Sequence, residues 1–219
     1  MTDFQQARRA MVDGQIRAIG VTDGRLLAAL GQVPRELFVP EARRAMAYID
    51  RPLPLGEDAR SGRSLPPAGV FARLVQLAAI EPTDRVLDVG AGTGYSTAVL
   101  AAVAANVVGL ETDAGLAATA TTLLADAGLE NVRLLVGGIE ALADEKFDAI
   151  VIEGAMDREP LEFFELLAPG GRLVVSLRRQ GVGVATVYVA GEAGVTARSE
   201  FNATLPGLEP PPVRDEFVF

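Results

Sequence analysis

The run Val86-Leu87-Asp88-Val89-Gly90-Ala91-Gly92-Thr93-Gly94-Tyr95 concentrates the chemistry-bearing residues of this chain. Two apolar residues lead to a carboxylate and then to three glycines at alternate positions. Glycine has no Cβ, so backbone there can approach a ligand closely. The helix expected to start at Ser96 adds free N–H groups that favour an anionic group. Glu111 stands 23 residues beyond Asp88, at the end of the next expected strand. A carboxylate in that place can accept two hydrogen bonds from the hydroxyls of a ribose. Strand, glycine turn and helix form a nucleoside-binding layout. A dinucleotide fingerprint requires glycine at the sixth position of G-x-G-x-x-G, and Tyr95 occupies it.

Composition narrows the chemistry further. There is no cysteine and no histidine, which excludes disulfides, thiol nucleophiles, Cys/His zinc sites and Ser-His triads. No metal site is expected. The formal net charge of −9 argues against a nucleic-acid partner, which calls for a basic surface. Residues 1 to 10 carry Asp3, Arg8 and Arg9 without an apolar segment behind them, so no signal peptide is read. The most apolar stretch, Ala98 to Leu110, is short of the ~20 residues of a membrane helix. A cytoplasmic protein with no membrane partner is the expectation.

The elements that must position these residues follow from periodicity. Residues 1–219 suit one domain: a helical elaboration and substrate loop over 1–80, then an α/β core over 81–219. Phe4 to Ile19 reads as a helix with Met11, Ile16 and Ile19 on one side. Asp23 caps a second, carrying Leu26, Leu27 and Leu30. Pro34 and Pro40 bracket a turn. Asp50 to Pro67 is rich in Pro, Gly and Arg and reads as a loop, and a long ordered loop is usually functional. Ala68 to Ile80 is helical. Strands at Arg85–Gly90, Asn106–Glu111, Val132–Val136, Phe147–Ile152 and Arg172–Leu177 alternate with helices at Ser96–Ala105 and Ala114–Ala127 and helical pieces at Ile139–Leu142 and Leu161–Leu167. This predicts a Rossmann-like, doubly wound, mostly parallel sheet with helices on both faces. Val182–Val189 and Val195–Phe201 add an antiparallel pair.

The G-x-G-x-G run with its preceding acid resembles the first motif of the class I S-adenosylmethionine-dependent methyltransferases. Asp88, Gly90, Gly92, Gly94 and Glu111 then become cofactor-binding residues. In that class an acidic residue usually follows the third strand, near the adenine. Here the slot is Gly138, followed by Ile139, which can pack on the adenine, and by Glu140, which can substitute for the acid.

Met11-Val12, Gln15-Ile16, Val33-Pro34-Arg35-Glu36, Phe38-Val39-Pro40 and Pro52-Leu53-Pro54-Leu55-Gly56 make the likeness specific. Together with Phe147-Asp148 and Leu167-Ala168-Pro169-Gly170-Gly171-Arg172-Leu173, they resemble the protein-L-isoaspartate O-methyltransferases over most of the first 180 residues. The tail Phe217-Val218-Phe219 is similar to a bacterial subgroup. The family usually carries Thr-Ile-Ser-Gln-Pro ahead of the helix before the glycine motif, with the serine in the active site. Here Gly62-Arg63-Ser64-Leu65-Pro66-Pro67-Ala68 stands there. Ungapped, the serine position falls on Pro66; a two-residue slip places it on Ser64. Ser64 is therefore read either as catalytic or as a turn serine.

The resemblance implies S-adenosyl-L-methionine as cofactor and isoaspartyl residues of damaged proteins or peptides as acceptors. Such a carboxylate, with a reference pKa of ~3.9, is already ionised at neutral pH and needs no general base. Placing it in line with the donor methyl in a dry site does the work. Arg51, Arg60 and Arg63 are candidate partners for it, each against the alternative of a solvated loop arginine. The other reading of the chain is a cofactor-binding homologue without repair activity, regulatory or acting on another carboxylate.

Overall fold

The computed structural model describes residues 3–56 and 62–208. Arg60, Ser61 and the Phe217-Val218-Phe219 tail lie outside the described residues. The first helix, α1 (Phe4–Met11), is capped by Asp3 and widens into a π turn over Val12–Ile16. A 3-10 turn over Arg17–Ile19 follows and ends on Gly20 at φ 90°. The uniform helix expected over Phe4–Ile19 thus changes winding twice; Met11 and Ile16 are buried, whereas Ile19 is 43% exposed. In α2 (Gly24–Gln32) the Asp23 carboxylate accepts from the N–H groups of Arg25 and Leu26, satisfying two donors the helix cannot pair itself.

The segment expected as loop contains an antiparallel pair, β1 (Leu53–Pro54) and β2 (Ser64–Leu65), with Pro54 opposite Ser64. Leu53, Leu55 and Leu65 are buried, and this apolar anchor overrides the turn chemistry of the surrounding prolines. α3 (Ala68–Leu77) leads to the sheet.

The sheet has seven strands in the order β5-β4-β3-β6-β7-β8-β9. These are β3 (Arg85–Val89), β4 (Asn106–Glu111), β5 (Val132–Val136), β6 (Phe147–Met156), β7 (Leu167–Arg179), β8 (Val182–Gly191) and β9 (Gly194–Asn202). The first five are parallel; β8 and β9 are antiparallel additions. Helices α4 (Tyr95–Ala101) and α5 (Ala114–Asp126) cross between strands. Pro169-Gly170-Gly171 form an irregularity within β7, between partners Leu167 and Arg172. Leu161–Leu166 forms a 3-10 turn instead of an α-helix.

Side chains alternate across the sheet. Val86, Val107, Ala149 and Val151 face the core built with α2, α3 and α4. Leu87, Val89, Val108, Leu110, Ile150 and Ile152 face a second core with Phe163 and Leu166. The order reverses direction at β3, whose neighbours are β4 and β6, and a ligand crevice is expected outside the carboxyl ends of these strands. After β9 the chain returns over that edge: the Ala155 N–H donates to the Pro206 carbonyl at 2.8 Å, and Gly207 bridges Ala155. Among the described residues no helix is long and apolar enough to cross a membrane.

Candidate active site

Strand periodicity decides which carboxylates meet. Asp88, Glu111 and Glu153 each lie an even number of residues from a side chain of the first core: Val86, Val107 and Val151. All three therefore point to the α4 side of β3, β4 and β6. Each is buried, with Asp88 and Glu111 at 0% exposure and Glu153 at 8%. Three acids on adjacent strand ends are tolerable only with partners, and each has found a different one.

Asp88 Oδ2 accepts from the Ser96 hydroxyl at 2.7 Å and the Thr97 hydroxyl at 2.6 Å, which ties β3 to the first turn of α4. Asp88 Oδ1 and Glu153 Oε1 are buried without a donor, and the two carboxyls interact directly. A proton placed between them would satisfy both oxygens. Burial, reinforced by the charge of Asp88, pushes the Glu153 carboxyl well above its ordinary value. Asp88 is pushed up to about 6, again chiefly by burial, with the two hydroxyls opposing.

Glu111 carries the strongest interactions. Its Oε1 accepts from Arg63 Nη1 at 2.6 Å and from the Asp113 N–H at 2.9 Å. Its Oε2 accepts from Arg63 Nη2 at 2.7 Å and from the Gly92 N–H at 2.7 Å. Arg63 Nη2 also donates to the Gly90 carbonyl at 3.1 Å. This two-pronged pair is the geometry in which guanidinium and carboxylate bind best.

A cavity of about 810 Å³ opens beside these groups, within the range of small-molecule sites. Gly90 lines it, as do Gly138 and Ile139 after β5, Gly62 and Arg63 before β2, and Leu110 and Thr112 flanking Glu111. Phe163, Met156, Pro206, Gly207 and Leu208 complete its apolar wall, and Asp157, Arg158, Glu162 and Arg178 form charged parts of the lining. Arg158 pairs with Glu162 at 3.3 Å and Arg178 with Asp157 at 2.8 Å.

The structure thus divides the residues expected to bind cofactor. Gly90, Gly138 and Ile139 line the cavity. Glu111 adjoins it but is covered by Arg63. Asp88, Gly92 and Gly94 stand behind its wall. A Cβ on Gly92 would lie 2.7 Å from Leu55 Cδ1, and one on Gly94, at φ 95°, 3.1 Å from Leu124 Cγ. These two glycines admit packing neighbours. Glu140 turns back to accept the Gly138 N–H at 2.8 Å; its carboxyl is lowered by its own backbone N–H and that of Gly138.

On the acceptor side, Ser64 is half-buried in β2 and does not belong to the cavity lining, whereas Arg63 does. Alternation along β2 turns Arg63 and Leu65 inward and Ser64 away. Arg63 is 9% exposed, so it is no solvated loop arginine; Arg51 is exposed. The residues missed from sequence are Glu153, just past the end of the expected strand Phe147–Ile152, and Leu208. The alternation of β6 could have paired Glu153 with Asp88. Nothing local marks Leu208, which arrives by the return of the chain after β9.

Behind the site, Arg35 is fully buried. It donates through Nε to the Ala47 carbonyl at 2.8 Å and through Nη2 to the Pro66 carbonyl at 2.5 Å. Its guanidinium lies 4.7 Å from the centre of the Tyr95 ring. One side chain therefore binds the N-terminal helices to the base of the Arg63 segment and to the start of α4.

Comparison with known proteins places this geometry. A protein-L-isoaspartate O-methyltransferase of Roseiflexus castenholzii is 42% identical over 175 residues, 79% of this chain and 78% of that one. The protein-L-isoaspartate O-methyltransferase 2 of an Anaeromyxobacter species is 43% identical over 169 residues, 76% and 68% of the two chains. Among solved structures, a protein-L-isoaspartate O-methyltransferase superposes with a TM-score of 0.79 at 22% identity. That match covers 91% of this chain and 65% of that one. A Plasmodium falciparum structure, titled as a putative protein-L-isoaspartate O-methyltransferase in complex with S-adenosyl-L-homocysteine, gives 0.75 at 19% identity over 93% and 99%. At these identities the two superpositions speak for the fold. The family model for protein-L-isoaspartate(D-aspartate) O-methyltransferase matches residues 6–203, a span that includes the acidic strand ends, the cavity rim before β2 and the helices locked by Arg35, and so the chain belongs to that family.

Proposed function

We propose that this chain transfers a methyl group from S-adenosyl-L-methionine to the free carboxylate of L-isoaspartyl residues in damaged proteins and peptides. The observation that carries the reading is the cavity at the carboxyl ends of β3 and β4, walled by Gly90 and Ile139 beside the Glu111 carboxylate, in a chain of this family.

The residues present fit the cofactor. Backbone at Gly90 holds φ 84° and carries no Cβ on the cavity side. Glu111 presents two acceptor oxygens at the place a ribose diol requires, and Ile139 offers an apolar face to a base. When bound, S-adenosyl-L-methionine supplies a methyl group on a sulfonium, already a good electrophile. The protein's own residues orient and desolvate. Glu111 grips hydroxyls, the Asp88–Ser96–Thr97 contacts fix the glycine turn, and Leu208, Met156 and Phe163 exclude water. No side chain has to remove a proton, which accords with a chain lacking histidine and cysteine. In the ester product the following backbone nitrogen then attacks the ester carbonyl and expels methanol, and water opens the resulting succinimide in part to normal aspartate.

Pure protein incubated with methyl-labelled cofactor and an isoaspartyl peptide is expected to form a base-labile methyl ester, with none on the aspartyl isomer. Tight S-adenosylhomocysteine binding without ester on either peptide would instead mark a cofactor-binding homologue that does not repair.

A further inference from the structure

Arg63 sits where the cofactor's ribose belongs. Both oxygens of Glu111 are held by its guanidinium, at 2.6 and 2.7 Å, and the backbone N–H groups of Asp113 and Gly92 take up further acceptor capacity. A ribose diol can reach that carboxylate only by displacing the guanidinium, because the two N–H donors belong to the turns that shape the site. The displaced Arg63 cannot go far. Its backbone carbonyl is bonded to Leu55 at 3.0 Å, and β2 is anchored by the buried Leu65. It stays a cavity-lining cation that has lost its counter-charge, an expensive state for a group so little exposed.

Among the described residues, the other two cations of the lining, Arg158 and Arg178, keep their partners Glu162 and Asp157 when Glu111 is taken. Glu153 and Asp88 interact with each other, and Asp88 Oδ2 is occupied by Ser96 and Thr97. Filling the donor site therefore frees one guanidinium, Arg63, facing the cavity. The acceptor of the proposed reaction is a carboxylate, the group that guanidinium pairs best.

We propose that Arg63 is the acceptor-carboxylate anchor of this enzyme, stored on Glu111 until the donor's ribose takes its place, so that the acceptor site forms only on the donor complex. The acceptor half of this assignment rests on the isoaspartyl reading above. It makes Arg63 a positioning and specificity residue, and it gives this chain a substitute for the family's Thr-Ile-Ser-Gln-Pro serine, since Ser64 does not line the cavity.

Titration calorimetry tests it. S-adenosylhomocysteine should bind Arg63→Met about tenfold more tightly than wild type, because a competitor for Glu111 is gone. The isoaspartyl peptide should bind wild type at least about tenfold more tightly with S-adenosylhomocysteine present than without it. In Arg63→Met that gain should vanish, with KM for the peptide raised and kcat less affected, and Arg63→Lys should restore part of it. Weaker or unchanged S-adenosylhomocysteine binding in Arg63→Met overturns the proposal. So does peptide affinity indifferent to S-adenosylhomocysteine.

Wild-type protein gives a second reading that needs no variant to fold. Phenylglyoxal should modify Arg63 slowly in the free protein and faster with S-adenosylhomocysteine; slower modification on adding it contradicts the displacement. Failure of the isoaspartyl reading shows separately, as absent ester with wild type, and the two S-adenosylhomocysteine measurements do not depend on it.

Discussion

Burial and the charge of Asp88 beside it push the Glu153 carboxyl well above its ordinary value. Its folded-state pKa is raised above the unfolded value of ~4.3, so no penalty exists below that pH. As pH rises from there toward the folded value, stability falls by up to ~1.4 kcal/mol per unit. Glutamine reproduces the neutral form and can still donate to Asp88. Glu153→Gln should therefore match wild type in Tm near pH 4.5 and exceed it increasingly as pH rises from there, at ~2–4 °C per kcal/mol for a chain of this size. A gap that narrows with rising pH would show that Glu153 is ionised in the fold. Glu111 differs in having four donors on its carboxylate, two from Arg63 and one each from Gly92 and Asp113. Glu111→Gln should weaken S-adenosylhomocysteine binding by about tenfold to a hundredfold, the ~1.5–3 kcal/mol of a charged hydrogen-bonding group, measured by calorimetry.

The glycine turn between β3 and α4 contains glycines of two kinds. Gly90 faces the cavity, where an added Cβ would meet Leu208 and would lie 3.3 Å from Arg63 Nη2. Gly94 faces α5, where it would lie 3.2 Å from Ala120 Cβ. Both hold positive φ, so alanine at either carries ~1–2 kcal/mol of backbone strain. Gly90→Ala should in addition weaken S-adenosylhomocysteine binding about tenfold or more, through a cavity-facing clash. Gly94→Ala should lower Tm and leave binding by the folded protein within about threefold, since no ligand group meets it. Equal binding losses would mean that both glycines touch ligand. The N-terminal elements depend on a single side chain: Arg35→Met orphans the carbonyls of Ala47 and Pro66 at ~1–3 kcal/mol each. A fall in Tm of about 5 °C or more is expected in a thermal melt.

Across the whole molecule, the parts legible in the sequence are those governed by local periodicity. Asn106–Glu111, Val132–Val136 and Ile139–Leu142 have the boundaries expected of them, because apolar runs and a following turn define each. The parallel sheet with two antiparallel additions was legible for the same reason. The first helix was less so: its change of winding after Met11 is set by packing against α2 and α3, which no local pattern records. In the site, Glu111 and Gly90 could be placed from spacing alone. The ion pair of Arg63 with Glu111 joins residues 48 apart, and Leu208 reaches Gly90 only through the return over the sheet edge. Such partners are chosen by topology.

Competition between two peptides in one mixture tests the central claim most directly. An isoaspartyl peptide and its aspartyl isomer are supplied in equal amount with S-adenosyl-L-methionine and followed by chromatography and mass spectrometry. The isoaspartyl peptide alone should gain the mass of one methyl group, and the Glu111→Gln protein at the same concentration should convert far less of it. Methylation of both isomers at similar rates, or of neither, would contradict the account.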